Sequence, residues 1–288
     1  MTDTQPVLSS GTFAIGGDLD VRRLGYGAMQ ILGEGRWGEP DDHDGAIAVL
    51  RRAVELGVDF IDTADSYGPF VSEDLIREAL HPYGHVRVAT KAGFTRQGPN
   101  IWTMCGHPAY LRQCAEMSLR RLGVETLDLW QLHRIDPDFP LEDQIGVFAD
   151  MVAEGKVRHV GLSEVSVDEL VAAQAITPIA TVQNLYNVAS RQSEALLDHC
   201  TEHGIGFIPW FPVASGQTAA PDGPLAAIAA RTGHTPAQLS IAWLLRRSPV
   251  VLPIPGTKSI AHVEENCAAA LVELDDATYA ELGALAAP

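Results

Sequence analysis

Short apolar runs alternate with amphipathic segments along almost the whole chain. Each run is continuously apolar, which is typical of a parallel strand buried on both faces. Counting from the amino terminus, the pattern predicts eight strands, at residues 23–29, 58–62, 86–91, 127–133, 157–163, 179–184, 205–210 and 250–254.

Helical spacing and capping residues mark the segments between the runs. Asp42 precedes apolar positions at helical spacing, and Gly57 ends them. Further helices are predicted from Pro108 to Gly123, from just after Pro140 to Gly155, from Ser166, from Ser190 to Gly204, from Thr235 to Arg247 and from near Ser259. Strands that alternate with helices in this way predict an α/β fold with a parallel sheet.

Eight such units favour a closed (β/α)8 TIM barrel of one domain, residues 1–288. Around a Gly-Gly-Asp turn, residues 10–22 predict an N-terminal β-hairpin, and residues 275–288 predict an additional C-terminal helix and tail. The alternative is an open doubly wound sheet. Its Gly-x-Gly-x-x-Gly turn is incomplete here, because Gly25 and Gly27 are followed by Gln30 where the third glycine should stand.

Composition narrows the function classes. Apolar residues make up 46% and charged residues 20% of the 288, as in a globular protein. The net charge of −17 argues against nucleic acid or an acidic membrane surface as a partner. We expect a cytoplasmic monomer or small homo-oligomer with free thiols and no metal, because the first residues lack signal-peptide character and the four cysteines are widely scattered.

Polar side chains are predicted at the carboxyl ends of the strands, where a barrel carries its active site. Singly, each has an ordinary structural explanation. Together they are Asp62, Tyr67, Lys91, His133, Ser163, Gln183, Asn184 and Trp210.

Four of these residues form a set that suits carbonyl reduction. Lys91 lies inside an apolar run, so its ammonium needs a partner, and Asp62 on the next strand is within reach. A tyrosine pKa is about 10, and a nearby cation is expected to lower the pKa of Tyr67. His133 would orient a carbonyl oxygen. Because none of the four supplies hydride, a cofactor is required.

The sequence resembles the aldo-keto reductase family. The resemblance rests on Asp62-Thr63-Ala64-Asp65-Ser66-Tyr67-Gly68, on Lys91 after Ala89-Thr90, and on His133 within Gln131-Leu132-His133-Arg134. It implies that Tyr67 is the general acid, that Lys91 and Asp62 tune its pKa, and that His133 positions the substrate carbonyl.

The resemblance also implies a bound NADP (NADPH), with NAD as the less favoured alternative. Ser163 and Gln183 would hold the carboxamide and Trp210 would stack on the nicotinamide, while Glu164 stands where asparagine is commonest. At the adenosine end Gly256 replaces a common lysine, so Lys258 would serve instead. The implied cofactor contacts are Gly27, Met29, Asp62, Ser163, Gln183, Trp210, Phe211, Gly256, Thr257, Lys258, His262, Glu265 and Asn266.

Substrate identity is the least determined feature. Trp37 and Trp102 are candidate pocket walls, or else they pack on their own loops; Trp102 lies in a predicted long loop at residues 93–107. Residues 23–30 and 207–212 resemble a bacterial branch that includes pyridoxal reductases, which suggests an aromatic aldehyde. Two other functions stay open: a nicotinamide-binding redox sensor, and a barrel lyase that uses Lys91 as a Schiff-base amine.

Overall fold

A computed structural model describes residues 5–213 and 223–286 of the chain. Seven parallel strands form the main sheet, in the spatial order β11-β10-β9-β8-β5-β4-β3. In chain order the strands are β1 (Thr12–Ile15), β2 (Leu19–Arg22), β3 (Tyr26–Gly27), β4 (Phe60–Asp62), β5 (Arg87–Ala92), β6 (Phe94–Gly98), β7 (Ile101–Met104), β8 (Leu127–Leu132), β9 (Val157–Ser163), β10 (Thr181–Gln183) and β11 (Gly206–Phe207).

An extended segment at residues 250–255 closes this sheet into a barrel. On one side Phe207 donates its N–H to the carbonyl of Val250 at 2.8 Å; on the other, Gly25 donates to the carbonyl of Pro253 at 3.0 Å. Because Pro253 and Pro255 have no N–H, the segment cannot form a full ladder. The eighth strand predicted at 250–254 is therefore a single bridge at Val251, and the predicted (β/α)8 barrel is confirmed.

Helices cover the outside of the barrel. They are α1 (His43–Glu55), α2 (Val71–Leu80), α3 (Pro108–Leu122), α4 (Leu141–Ala153), α5 (Val167–Gln174), α6 (Glu194–His203), α7 (Pro224–Thr232), α8 (Pro236–Arg247), α9 (Ile260–Ala268) and α10 (Asp276–Gly283). Ser166 and Thr235 begin α5 and α8 with capping boxes. The predicted start of α6 at Ser190 is wrong, because Ser190 pairs with Asn187 in a turn.

The N-terminal hairpin of β1 and β2 closes the amino-terminal end of the barrel. Ile15, Leu19 and Val21 are fully buried there against residues of the barrel interior such as Phe60 and Leu129. At the tip, Asp18 contacts His159 at 2.6 Å. The hairpin therefore leaves the opposite end of the barrel as the open one.

A second hairpin occupies most of residues 93–107, which the sequence predicted as a loop. Strands β6 and β7 pair antiparallel, with Phe94 opposite Met104 and Thr95 opposite Thr103. The prediction failed because Thr95, Arg96 and Gln97 interrupt the apolar pattern of β6. This hairpin extends from the carboxyl end of β5, beside the barrel mouth.

Two further observations concern the described part of the chain. None of its helices is both long and apolar enough to cross a membrane. All four cysteines carry free thiols.

Candidate active site

A cavity of about 680 Å³ opens at the carboxyl end of the strands. Of the predicted site residues, eleven line it: Gly27, Met29, Asp62, Tyr67, Trp102, His133, Ser163, Gln183, Trp210, Phe211 and Gly256. Lys91 lies beneath this lining, fully buried. The remaining predicted contacts, Trp37, Thr257, Lys258, His262, Glu265 and Asn266, lie beyond it.

Asp62 and Lys91 form a buried ion pair at the base of the cavity. The Lys91 ammonium donates to Asp62 Oδ1 at 2.5 Å and to the Thr63 carbonyl at 2.7 Å. Burial alone would lower the pKa of Lys91, but the Asp62 carboxylate outweighs it and the pKa is raised. Lys91 is therefore a cation at neutral pH.

Tyr67 lies above this pair. The Nζ atom of Lys91 is 5.1 Å from the centroid of the Tyr67 ring, and only 6% of Tyr67 is exposed. Burial raises the pKa of Tyr67, while the Lys91 ammonium opposes the rise. The expectation of a lowered pKa is thus wrong in its net direction, because desolvation exceeds the effect of the cation. Tyr67 keeps its proton at neutral pH.

His133 directly follows β8 and faces Tyr67, with ring centroids 5.8 Å apart and nearly perpendicular planes. Its Nδ1 is 3.4 Å from the hydroxyl of Ser66. Burial, together with the cations Lys91, Arg134 and Arg96, holds the pKa of His133 well below its usual range. The imidazole is therefore neutral and offers a hydrogen bond without a charge.

Asp62 also binds two amides from neighbouring strands. Gln131 and Gln183 donate their side-chain N–H groups to Asp62 Oδ2 at 3.1 Å and 2.8 Å. One N–H of the Gln183 amide is consequently engaged, and its carbonyl oxygen and second N–H are left for a ligand.

Glu164 has a structural role that the sequence did not reveal. Its Oε1 accepts hydrogen bonds from the Trp210 indole and from the Leu185 N–H, the latter at 2.7 Å. Its φ is 56°, an uncommon left-handed conformation for a residue other than glycine. Glu164 therefore fixes the ring of Trp210 at the edge of the cavity.

Two arginines that line the cavity were missed. Arg134 donates to the Ser163 hydroxyl at 2.9 Å and to the His133 carbonyl at 2.5 Å. Arg36 also lines the cavity. The signal available for Arg134 was its position directly after His133 at a strand end; Arg36 lies in a loop without a sequence signal.

Gly256 stands against the barrel strand β3. A Cβ atom at this position would lie 2.4 Å from the carbonyl oxygen of Gly27, so no other residue fits without a backbone shift. This approach explains why no lysine occupies position 256. Beyond it, Thr257 Oγ1 accepts from the Ser259 N–H at 3.1 Å, and Lys258 and His262 are exposed near the start of α9.

Trp37 and Trp102 pack around Arg96. The Arg96 guanidinium carbon is 3.6 Å from the Trp102 ring centroid and 5.7 Å from that of Trp37. Trp102 also contacts Tyr67 edge-on, with centroids 6.2 Å apart. Trp102 therefore lines the cavity, whereas Trp37 packs on Arg96 outside the lining.

A second acid, Asp65, is buried in the loop that carries Tyr67. Only 1% of Asp65 is exposed, and neither carboxyl oxygen has a hydrogen-bond partner among the described residues. Burial raises the pKa of Asp65 to about 7, and the neighbouring Glu73 adds to the rise.

The chain is similar to known proteins over almost its whole length. A family profile described as the aldo/keto reductase family matches residues 23–287. An uncharacterised oxidoreductase of Schizosaccharomyces pombe is 50% identical over 273 residues, covering 95% of this chain and 89% of its own. Pyridoxine 4-dehydrogenase of Escherichia coli is 42% identical over 282 residues, covering 96% and 98%.

The solved structure of an aldo/keto reductase from Klebsiella pneumoniae, in complex with NADP and acetate, is similar with a TM-score of 0.82 and 29% identity, covering 95% of this chain and 94% of that one. The fold and these relatives define a barrel oxidoreductase. The chain belongs to the aldo/keto reductase family.

Proposed function

We propose that the protein reduces an aldehyde or ketone to an alcohol with NADPH, and that Tyr67 is the general acid. The observation that carries this proposal is the placement of protonated Tyr67 above a buried lysine cation and beside a neutral histidine, at the base of an open cavity. The nicotinamide cofactor supplies the hydride when it is bound.

Each of the four residues has a distinct part in proton transfer. The Tyr67 hydroxyl donates its proton to the substrate oxygen, and His133 donates a hydrogen bond that orients that oxygen. The phenolate left on Tyr67 is stabilised by the Lys91 ammonium. Asp62 keeps Lys91 charged and fixed in place.

The donor and acceptor set around the cavity fits a nicotinamide. The Gln183 carbonyl oxygen would accept from the carboxamide NH₂, and the Ser163 hydroxyl, which accepts from Arg134, keeps its proton to donate to the carboxamide oxygen. Trp210, fixed by Glu164, supplies a flat surface for the ring. Because Gln183 and Ser163 make the contacts to the carboxamide, these contacts do not require an asparagine at position 164.

NADP is preferred over NAD because of the charges at the start of α9. The exposed Lys258 and His262, the Thr257 hydroxyl and the first N–H groups of the helix can bind a phosphate. Gly27, Met29, Phe211 and Gly256 would lie along the cofactor, with Glu265 and Asn266 at the adenosine. The NADP complex of the Klebsiella relative supports this choice.

The lyase alternative is disfavoured by the state of Lys91. A Schiff-base lysine needs a neutral amine, and such lysines have lowered pKa values. The pKa of Lys91 is raised by Asp62 instead, and two of its hydrogen bonds are made within the protein.

The walls of the cavity favour an aromatic substrate. Phe94, Trp102 and Phe211 line it, and the ring centroid of Phe94 lies 4.8 Å from that of His133. The relative named pyridoxine 4-dehydrogenase supports a heteroaromatic aldehyde such as pyridoxal as a candidate.

The Tyr67→Phe variant tests the proposal. We expect kcat with 4-nitrobenzaldehyde to fall by about 100-fold or more, because the proton donor is lost. NADPH affinity, measured by quenching of tryptophan fluorescence, should be unchanged. Tyr279→Phe, which removes a phenol far from the cavity, is the control. Unchanged turnover in Tyr67→Phe would refute the general-acid role; NADPH binding by the wild type with no turnover over a carbonyl panel would favour the sensor function.

Cofactor preference is tested by Lys258→Gln. We expect the dissociation constant for NADPH to rise about tenfold, since one charge-assisted contact to a phosphate is lost, while that for NADH stays constant. Fluorescence titrations with both cofactors measure this. Lys156→Gln, before β9 at the closed end of the barrel, removes a lysine charge that pairs with Glu116 and Glu154 and is the control. Equal losses for NADPH and NADH would contradict the assignment.

A further inference from the structure

The open cavity is lined by two arginines that take no part in the proposed proton transfer. Arg36 and Arg134 both contribute to its wall. Within residues 5–213 and 223–286 neither forms an ion pair, whereas Arg52, Arg121 and Arg247 are each paired with carboxylates. The carboxylate in the lining, Asp62, is already neutralised by Lys91.

These charges are local and contrary to the charge of the whole molecule. The chain carries a net charge of −17, so its surface repels anions at long range. Around His133 the local charge is positive instead, because the cations Arg134 and Arg96 both help to lower the pKa of His133. Glu164 offsets part of the charge of Arg134 without forming an ion pair with it. Burial of the positive charge that remains is unfavourable without an anion, which indicates a ligand with negative charge.

Arg36 is held in its place by the backbone around it. Its φ is 58°, a left-handed conformation that costs free energy in a residue other than glycine. Its carbonyl accepts from the Gly68 N–H at 3.3 Å and from the Arg96 guanidinium at 3.1 Å. Arg36 is thereby tied to Gly68, the residue after Tyr67.

Arg134 is equally close to the chemistry. One of its nitrogens binds the carbonyl of His133 and the hydroxyl of Ser163, so the guanidinium adjoins the residue proposed to orient the substrate. It lies near the apolar wall, 5.8 Å from the ring centroid of Phe94. The phosphate placed at Thr257, Lys258 and His262 belongs to the adenosine end of the cofactor, whereas Arg134 lies at the nicotinamide end, beside Ser163.

We propose that Arg134 and Arg36 select substrates, and that the substrate class is an aromatic aldehyde bearing an anionic group such as a carboxylate. The aromatic ring would lie against the wall formed by Phe94 and Trp102, whose rings contact each other edge-on with centroids 5.6 Å apart, and the anion would bind the two guanidinium groups. This inference rests on the proposed reductase function and adds to it the charge of the substrate.

The test compares two substrates matched in shape, 4-carboxybenzaldehyde and its neutral methyl ester, with NADPH. We expect the wild-type kcat/KM to be about tenfold higher for the carboxylate, mainly through KM, because charge-assisted hydrogen bonds act on that substrate alone. Arg134→Gln and Arg36→Gln should each lower the ratio about threefold, and the double variant should bring it to about one. Added salt should weaken the preference.

Two controls separate charge from structure. Arg120→Gln, on the exposed face of α3, removes the same charge elsewhere and should keep the ratio. Arg134→Lys keeps the charge and should therefore show a higher ratio of kcat/KM values than Arg134→Gln. Binding of benzoate and of benzamide to the NADP-bound protein, measured by calorimetry, gives a readout without turnover. Benzoate should bind the wild type more tightly than benzamide does. This difference in affinity should disappear in the double arginine variant.

The outcomes are distinguishable. Reduction of both substrates with equal kcat/KM, or a parallel change for both in the arginine variants, would overturn the anionic-substrate inference and leave the reductase function standing. Binding of NADPH without reduction of either substrate would overturn the reductase function and with it this inference.

Discussion

At the scale of single residues, burial decides the protonation states around Tyr67 as much as neighbouring charges do. Desolvation raises the pKa of Tyr67 and lowers that of His133, so the pair enters the reaction as a protonated phenol and a neutral imidazole. Asp62, 2.5 Å from the Lys91 ammonium, favours the charged form of this buried lysine. The protonation states assigned to Tyr67 and His133 therefore depend on the burial of these two side chains.

Asp65 provides a prediction of pH-dependent stability. Its pKa is raised from an unfolded value of about 4 to about 7 in the fold, so the native state binds its proton more tightly. That stabilisation is complete below about pH 4 and is lost as the pH rises through about 7. We expect Asp65→Asn to raise the melting temperature at pH 8 by about 2–4 °C, and to have little effect at pH 5.

Differential scanning calorimetry at the two pH values measures this effect. The exposed residue Asp41 provides the control, because Asp41→Asn removes a carboxylate without changing a buried group. The same gain for Asp65→Asn at both pH values would mean that ionisation of Asp65 is not what costs stability.

At the scale of elements, closure of the barrel depends on glycines where β3 meets residues 250–255. The carbonyl of Pro255 accepts from the Gly27 N–H at 3.4 Å, and a Cβ at Gly27 would lie 2.7 Å from the carbonyl oxygen of Ile254. Together with the contact of Gly256, this makes the junction a close approach of two backbones. The junction borders the proposed cofactor site.

We therefore expect Gly256→Ala to destabilise the fold and to weaken NADPH binding together, because the added methyl group forces the two backbones apart. Gly146→Ala is the control: a Cβ at Gly146, inside α4, meets no atom within 4 Å, so alanine should stabilise by about 0.5–1 kcal/mol. Urea unfolding and fluorescence titration measure both quantities. Wild-type affinity in a destabilised Gly256→Ala would separate the junction from the cofactor site.

Sequence patterns predicted the strands and most helix starts, because periodicity and capping are local properties. Ser166 and Thr235 begin helices as expected. The hairpin of β6 and β7 was missed because its strands lie outside the barrel, where polar residues replace the apolar run. Arg36 and the sign of the Tyr67 pKa shift could not be predicted, since both depend on which distant residues surround them. That residues 1–288 form a single domain stays a prediction.

At the scale of the whole molecule, the two ends of the barrel have different tasks. The amino-terminal end is closed by the apolar cluster beneath the N-terminal hairpin, and the proposed chemistry lies at the other end. Residues in the closed end should therefore affect the free energy of unfolding without affecting the reaction.

Leu19→Ala tests this division. Leu19 is 1% exposed, and its truncation should lower the free energy of unfolding by about 2–5 kcal/mol through lost packing and a cavity. The KM values for NADPH and aldehyde should stay at wild-type levels at temperatures where the variant is folded. Urea unfolding and steady-state kinetics measure the two effects. A raised KM would show that the ends of the barrel are coupled.

Arg96 has a consequence for changing the substrate range by grafting loops from relatives. Its guanidinium binds the carbonyls of Gly35, Arg36 and Ser66, and its stem belongs to the hairpin of β6 and β7. A graft that replaced the hairpin alone would remove the Arg96 donor from all three carbonyls, of which that of Arg36 keeps another donor, the Gly68 N–H. A graft of residues 33–38 alone would change two of the acceptors of Arg96, the carbonyls of Gly35 and Arg36. The two segments form one exchangeable unit, and a chimaera should carry both.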